Sequence, residues 1–142
     1  MNLGPLHTSE SILVAETTMR DVMTAAPQTI ASSATIADAH RMMRSQHCRH
    51  LPVVDQGKLV GIVSERDLFV VESLVKANVD RDVVADAMNP RVYTTTADAK
   101  LRDVARVMAA ERYGSAVVMD GERVAGIFTA TDAFRHLVSA LR

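Results

Sequence analysis

Apolar positions along this chain switch between a helical period and the short runs typical of strands. Ile36, Ala39, Met42 and Met43 recur at helical spacing and predict an amphipathic helix from about Thr35 to Gln46. The runs Leu51-Pro52-Val53-Val54 and Leu59-Val60-Gly61-Ile62-Val63 flank Asp55-Gln56-Gly57-Lys58, the pattern of two strands joined by a tight turn. A short extended segment at Thr29-Ile30 precedes the first helix, and a second helix is expected over about Glu65–Lys76. The order is β-α-β-β-α.

The same order is then written again. Gly61-Ile62-Val63-Ser64-Glu65-Arg66-Asp67 returns as Gly126-Ile127-Phe128-Thr129-Ala130-Thr131-Asp132, an offset of 65 residues. At that register residues 20–69 and 85–134 share 13 identities in 50 positions without a gap, several times what chance composition gives. The second copy predicts an extended Thr94-Thr95 and a helix over about Lys100–Arg112 on Leu101, Val104, Val107 and Met108. Strands Ala116-Val117-Val118-Met119 and Val124-Ala125-Gly126-Ile127-Phe128 follow, then a helix over about Ala130–Leu141. Its turn, Asp120-Gly121-Glu122-Arg123, places the glycine one position earlier, so the two turns need not be of one type. These signals divide the chain into an N-terminal arm (1–17), a first repeat (18–77), a linker (78–83) and a second repeat (84–142).

A fifty-residue unit buries too little surface to stand comfortably alone. The expected fold is therefore α+β, with two repeats packed face to face in pseudo-two-fold symmetry as one module. Leu68, Phe69, Val70, Val71, Leu74 and Val75 leave the first post-hairpin helix little polar face. Either it is an internal core helix, or its extra side is covered by a second subunit. The homodimer is the favoured expectation.

Composition narrows the class. Of 142 residues 48% are apolar and 23% charged, so a core is expected rather than disorder. Sixteen Lys and Arg against seventeen Asp and Glu leave a net charge of −1, which argues against bulk electrostatic binding to nucleic acid or a membrane surface. The single cysteine, Cys48, suits a reducing compartment, and neither a signal peptide nor a membrane span is expected, which reads as cytoplasmic.

Candidate chemistry gathers where the second hairpin strand of each repeat meets the following helix. Gly61 offers a place for close approach. Ser64 and Asp67 have the spacing of a helix N-terminal cap, the hydroxyl and carboxylate each accepting a backbone N–H. The same groups also suit a ribose phosphate, the acid accepting from sugar hydroxyls while hydroxyl and amides donate to phosphate. Capping and ligand holding are both open on spacing alone.

Residues 20–138 resemble a tandem pair of CBS (cystathionine-β-synthase-type) domains. The resemblance is carried by Asp21-Val22-Met23-Thr24 and Asp86-Ala87-Met88-Asn89-Pro90, by Arg49-His50-Leu51-Pro52-Val53-Val54-Asp55, and by the two Gly-h-h-Ser/Thr-x-x-Asp segments, where h is apolar. It implies a stand-alone regulatory module without catalytic activity, of the energy-sensing kind. Such a module binds AMP, ADP or ATP, sometimes NAD or S-adenosylmethionine, in clefts between two repeats and signals occupancy to an effector protein. AMP or another adenine nucleotide is the implied ligand, with no catalytic cofactor. The resemblance assigns Asp67 and Asp132 to ribose, and Ser64, Arg66, Thr129 and Thr131 to ribose or phosphate. It assigns Ile30, His50, Leu51 and Pro52 to one base, with Thr95, Ser115, Ala116 and Val117 as their second-repeat counterparts. Arg49 and Arg66 bring positive charge to the first site, where the aligned Gly114 and Thr131 bring none. On that comparison the Asp67 site is expected to take a nucleotide and the Asp132 site a less charged ligand or none. The alternative is a ligand-free structural dimerisation module.

Other chemistries find little support. His47-Cys48-Arg49-His50 has no second metal-ligand cluster to complete it, and no metal site is expected. Cys48 has no evident base, and neither a Walker loop nor a GxGxxG segment occurs.

Overall fold

A computed structural model describes residues 15–141; residues 1–14 of the expected arm, Arg142 and the side chain of Val75 lie outside that description. Two compact units result. One comprises residues 26–92 with the 121–124 turn; the other comprises 93–120 and 125 onward with the residues through 25.

The first unit contains β2 (Ile30–Ala31), α2 (Ile36–Gln46), β3 (His50–Asp55), β4 (Lys58–Ser64) and α3 (Glu65–Val70); α1 (Met19–Val22) and β1 (Thr24–Ala25), which precede them in the chain, belong to the other unit. Thr35 caps α2 reciprocally. Its hydroxyl accepts from Asp38 N–H at 3.1 Å, and Asp38 accepts from Thr35 N–H at 3.1 Å. These two bonds, backbone first, hold the Asp38 carboxyl below its ordinary pKa. Ile36, Ala39 and Met43 form the buried stripe, and α2 stops at His47, which turns left-handed with φ 52°. His47 therefore ends the helix, and β3 begins three residues later at His50.

In the hairpin, β3 pairs parallel with β2 and antiparallel with β4. Gln56 and Gly57 both have positive φ, 51° and 78°, as a type I′ turn requires. The core joins Ile30, Ile36, Ala39, Met43, Leu51, Val53, Val63, Leu68 and Val84; each of these side chains except that of Ala39 contributes roughly 1.5–3 kcal/mol on burial.

The helix expected through Lys76 does not run on as one α-helix. After Val70 it widens into a π-helical turn, Val71–Val75, and ends with Lys76 left-handed. The change of winding falls at two adjacent β-branched residues, Val70 and Val71, whose α-helix propensity is reduced. His40 of α2 meets Glu72 of this turn through Nε2 and Oε1, fastening the widened segment to the first helix.

The second unit repeats the plan with β5 (Thr94–Thr96), α4 (Leu101–Glu111), β6 (Ser115–Asp120), β7 (Arg123–Thr129) and α5 (Ala130–Ala140). Here β5 pairs parallel with β6, and the strand order continues through β7. Gly121 alone in this turn has positive φ, 61°, so the displaced glycine does change the turn geometry. Met19, Leu101, Val104, Met108, Ala116, Val118 and Phe128 make the core.

Each sheet takes its last partner from the segment that leads into the other repeat. Helix α1 (Met19–Val22) and strand β1 (Thr24–Ala25) open the first repeat, yet β1 pairs antiparallel with β7 of the second, Thr24 on Ile127 and Ala25 on Gly126. Reciprocally, Asn89 opens the second repeat and pairs with Ile62 of β4, with bonds of 3.0 and 2.8 Å. The anchoring bonds repeat at the same offset: Met19 N–H donates to Ala99 O at 2.9 Å, and Val84 N–H to Ala34 O at 2.8 Å.

The glycines explain why these segments lie so close. A Cβ on Gly61 would stand 2.6 Å from Met88 Sδ and 3.1 Å from Asn89 O; on Gly126 it would stand 2.4 Å from Met23 Sδ and 3.1 Å from Thr24 O. The close approach expected at Gly61 is made by a methionine and a backbone carbonyl.

Candidate functional site

Helix α3 begins at Ser64, whose φ of −107° and ψ of 161° keep it extended. The Ser64 hydroxyl accepts from Asp67 N–H at 3.1 Å, and Asp67 Oδ2 accepts from Ser64 N–H at 2.9 Å. Across the hairpin His50 is the partner of Ser64, and Glu65 N–H donates to Arg49 O at 2.9 Å. Arg49, His50, Ser64, Arg66 and Asp67 are thus brought to one end of the hairpin, with Arg49 and Arg66 exposed and the other three half-buried. Ile30 and Leu51 are instead core side chains, 4% and 1% exposed, and Pro52 is fully buried beside them.

The second unit builds the same end from different residues. Thr129 N–H donates to Asp132 Oδ2 at 2.9 Å, the Thr129 hydroxyl donates to it at 3.0 Å, and Asp132 N–H returns a bond to the hydroxyl at 3.3 Å. Ala130 N–H donates to Gly114 O at 3.0 Å, matching Glu65 and Arg49. Ser115 and Thr95 are half-buried, Thr131 is exposed, and Ala116 and Val117 lie wholly within the interior. One neighbour was missed in the sequence: Arg135 Nη1 lies 3.6 Å from Asp132 Oδ1.

Capping is therefore real at both places. The same hydroxyl-and-acid pairing also occurs at Thr18 with Asp21 and at Thr35 with Asp38. Spacing alone does not separate a cap from a ligand holder, but exposure differs: the Asp132 side chain is 19% exposed and that of Asp38 43%. Asp132 is the more sheltered of these two acids, where a hydrogen bond to a ligand counts for more.

At Cys48, burial pushes the thiol pKa up, opposed by a hydrogen bond from the His50 backbone. It stays protonated at neutral pH and is a poor nucleophile. Among the described residues no group of three His, Cys, Asp or Glu could hold a metal ion, and no helix is long and apolar enough to cross a membrane.

Comparison with known proteins meets this geometry directly. The family model of the CBS domain matches twice, over residues 19–73 and 84–139. The chain belongs to the CBS-domain family. Among solved structures, the CBS domain pair of protein MJ0100, in complex with 5′-methylthioadenosine and S-adenosyl-L-methionine, superposes with a TM-score of 0.79. It shares 29% identity, covering 87% of this chain and 97% of that one. CBSX2 of Arabidopsis thaliana in complex with AMP gives a TM-score of 0.75 at 26% identity, covering 89% and 99%. A homoserine O-acetyltransferase of Methanosphaerula palustris is 34% identical over 138 residues, 95% of this chain but 27% of that protein. The chain spans less than half the length of the curated relatives that it first matches, from 23% to 43%. The likeness to these longer proteins extends over that part of their length alone. The CBS-pair fold, mixed α/β and twofold repeated, stands on both sequence and structure.

Proposed function

We propose that this CBS pair is a non-catalytic regulatory sensor that binds AMP or another adenine nucleotide and passes its occupancy to a separate effector protein. The observation that carries the reading is the half-buried acid-and-hydroxyl pair at the end of each hairpin, in a fold two of whose solved relatives hold AMP or S-adenosylmethionine with 5′-methylthioadenosine. One carboxylate oxygen of each acid is committed to its cap, and the other accepts ribose hydroxyls. Ser64, Arg66, Thr129 and Thr131 face ribose or phosphate. Because Ile30, Leu51 and Pro52 are sealed in the core, the base lies against their backbone and beside Arg49 and His50. Thr95, Ser115, Ala116 and Val117 serve the second repeat in the same way. NAD and S-adenosylmethionine share the adenosine moiety and are the competing ligands. The cytoplasm, where adenine nucleotides are abundant and Cys48 stays reduced, is the compartment this reading requires.

The test is thermal unfolding of the full chain with AMP, ATP, NAD and S-adenosylmethionine in turn. A ligand at 100 times its Kd should stabilise by about 2.7 kcal/mol. The double variant Asp67→Ala/Asp132→Ala should lose the response, apart from about 1 kcal/mol of stability for each cap. No shift with any of the four would overturn the reading and leave a structural dimerisation module.

We also propose a homodimer formed through the post-hairpin helices. Phe69, Val70 and Leu74 are exposed on one helix, and Phe134, Leu137, Val138 and Leu141 at the other, with Phe134 67% and Val138 71% exposed. So many large apolar side chains in water mark an interaction surface. Phe134→Glu should sediment as a monomer at concentrations where the parent chain is a dimer; a monomeric parent chain would refute the proposal.

A further inference from the structure

We infer that Arg135 is the phosphate-recognising side chain of the second repeat, the counterpart of the role proposed above for Arg66 in the first. The inference rests on the adenine-nucleotide reading above and revises the expectation that the Asp132 site avoids charged ligands. At the repeat offset, Arg66 aligns with Thr131 and Val70 aligns with Arg135. Each repeat thus carries an arginine close to its acid in sequence, but on opposite sides of it along the chain. In the first the cation immediately precedes Asp67; in the second it follows Asp132 by one helical turn, on the same face of α5.

The geometry suits an anion arriving next to the acid. Asp132 is 19% exposed and Arg135 77%, with Nη1 and Oδ1 separated by 3.6 Å. At that separation the guanidinium offsets the carboxylate charge without making a hydrogen bond to it. Its planar fork of N–H donors remains available to phosphate oxygens. A carboxylate that accepts ribose hydroxyls repels the phosphate on the same nucleotide, and a cation one turn away removes that repulsion. An ordinary surface ion pair within α5 has the same separation but no dependence on ligand charge, and this separates the two roles.

The experiment isolates the second site with Asp67→Ala and titrates AMP and adenosine calorimetrically at low and moderate salt, with Arg135 intact or as Arg135→Gln. The glutamine should weaken AMP by about three- to tenfold, leave adenosine within about twofold, and flatten the salt dependence of AMP. Arg135→Lys, which keeps the charge, should recover most of the loss. Equal AMP affinity with and without Arg135, an equal loss for adenosine, or AMP binding that vanishes with Asp67→Ala alone would each overturn the inference while leaving nucleotide binding intact. Failure of the parent chain to bind either compound would instead overturn the reading on which it rests.

Discussion

A chain ending at Ala77 should fail to fold, whereas residues 26–92 on their own should melt cooperatively. The shorter first-repeat fragment contains the whole β-α-β-β-α pattern, yet lacks the segment that completes its sheet and core. Val84, fully buried, is gone, and so are Ala87 and Met88, which pack on the same cluster. Ile62 loses both backbone bonds to Asn89, and Ala34 loses the bond from Val84 N–H. Burial of Val84 is worth roughly 1.5–3 kcal/mol and that of half-buried Met88 less, and each net hydrogen bond is worth about 1 kcal/mol. Together that rivals the about 5–15 kcal/mol that holds a small domain folded. Residues 26–92 keep every buried member of that core, Ile30 through Val84. Circular dichroism melts of the two fragments decide the matter: a cooperative transition for 1–77 near that of the full chain would show that the exchanged segment is dispensable.

Gly61→Val should destabilise by about 3 kcal/mol, the upper end of ordinary overpacking. The thioether of Met88 is the nearest obstacle and can swing aside, but Asn89 O is backbone held in register by its pairing with Ile62. Valine adds two methyl groups beyond the Cβ, so rotation of Met88 does not relieve the whole conflict. Adding Met88→Ala should restore part of the loss, giving a coupling of about 1–2 kcal/mol in a double-mutant cycle. Urea denaturation midpoints measure this directly. A Gly61→Val chain as stable as its parent would show that the leader does not press on the strand.

The local plan of this protein was legible because it rests on short-range chemistry. Helix α2 starts where Thr35 and Asp38 make a capping box, and the hairpin turns differ as the displaced glycine requires. What could not be read is which repeat each leader serves. Duplication gives both leaders a methionine and both fourth-strand neighbours a glycine, so Met23 matches Gly61 as well as Gly126 by composition. Sequence similarity leaves that choice degenerate, and only the long-range pairing resolves it.

The candidate site was legible to the same depth. The acids and hydroxyls were found from their spacing, but the inward orientation of Ile30, Leu51 and Pro52 depends on which face of each strand meets the core. Arg135 escaped because the repeat offset aligns it with Val70, an uncharged position in the first repeat. The π-helical turn after Val70 left no mark beyond its two neighbouring valines.

The crossed leaders also give the chain an unexpected mechanical address. A protein fused ahead of Met19 would tug first on β7, the strand that runs into Thr129 and Asp132, and not on the repeat that follows it in sequence. Force or crowding applied at that end would reach the distal hairpin before the proximal one.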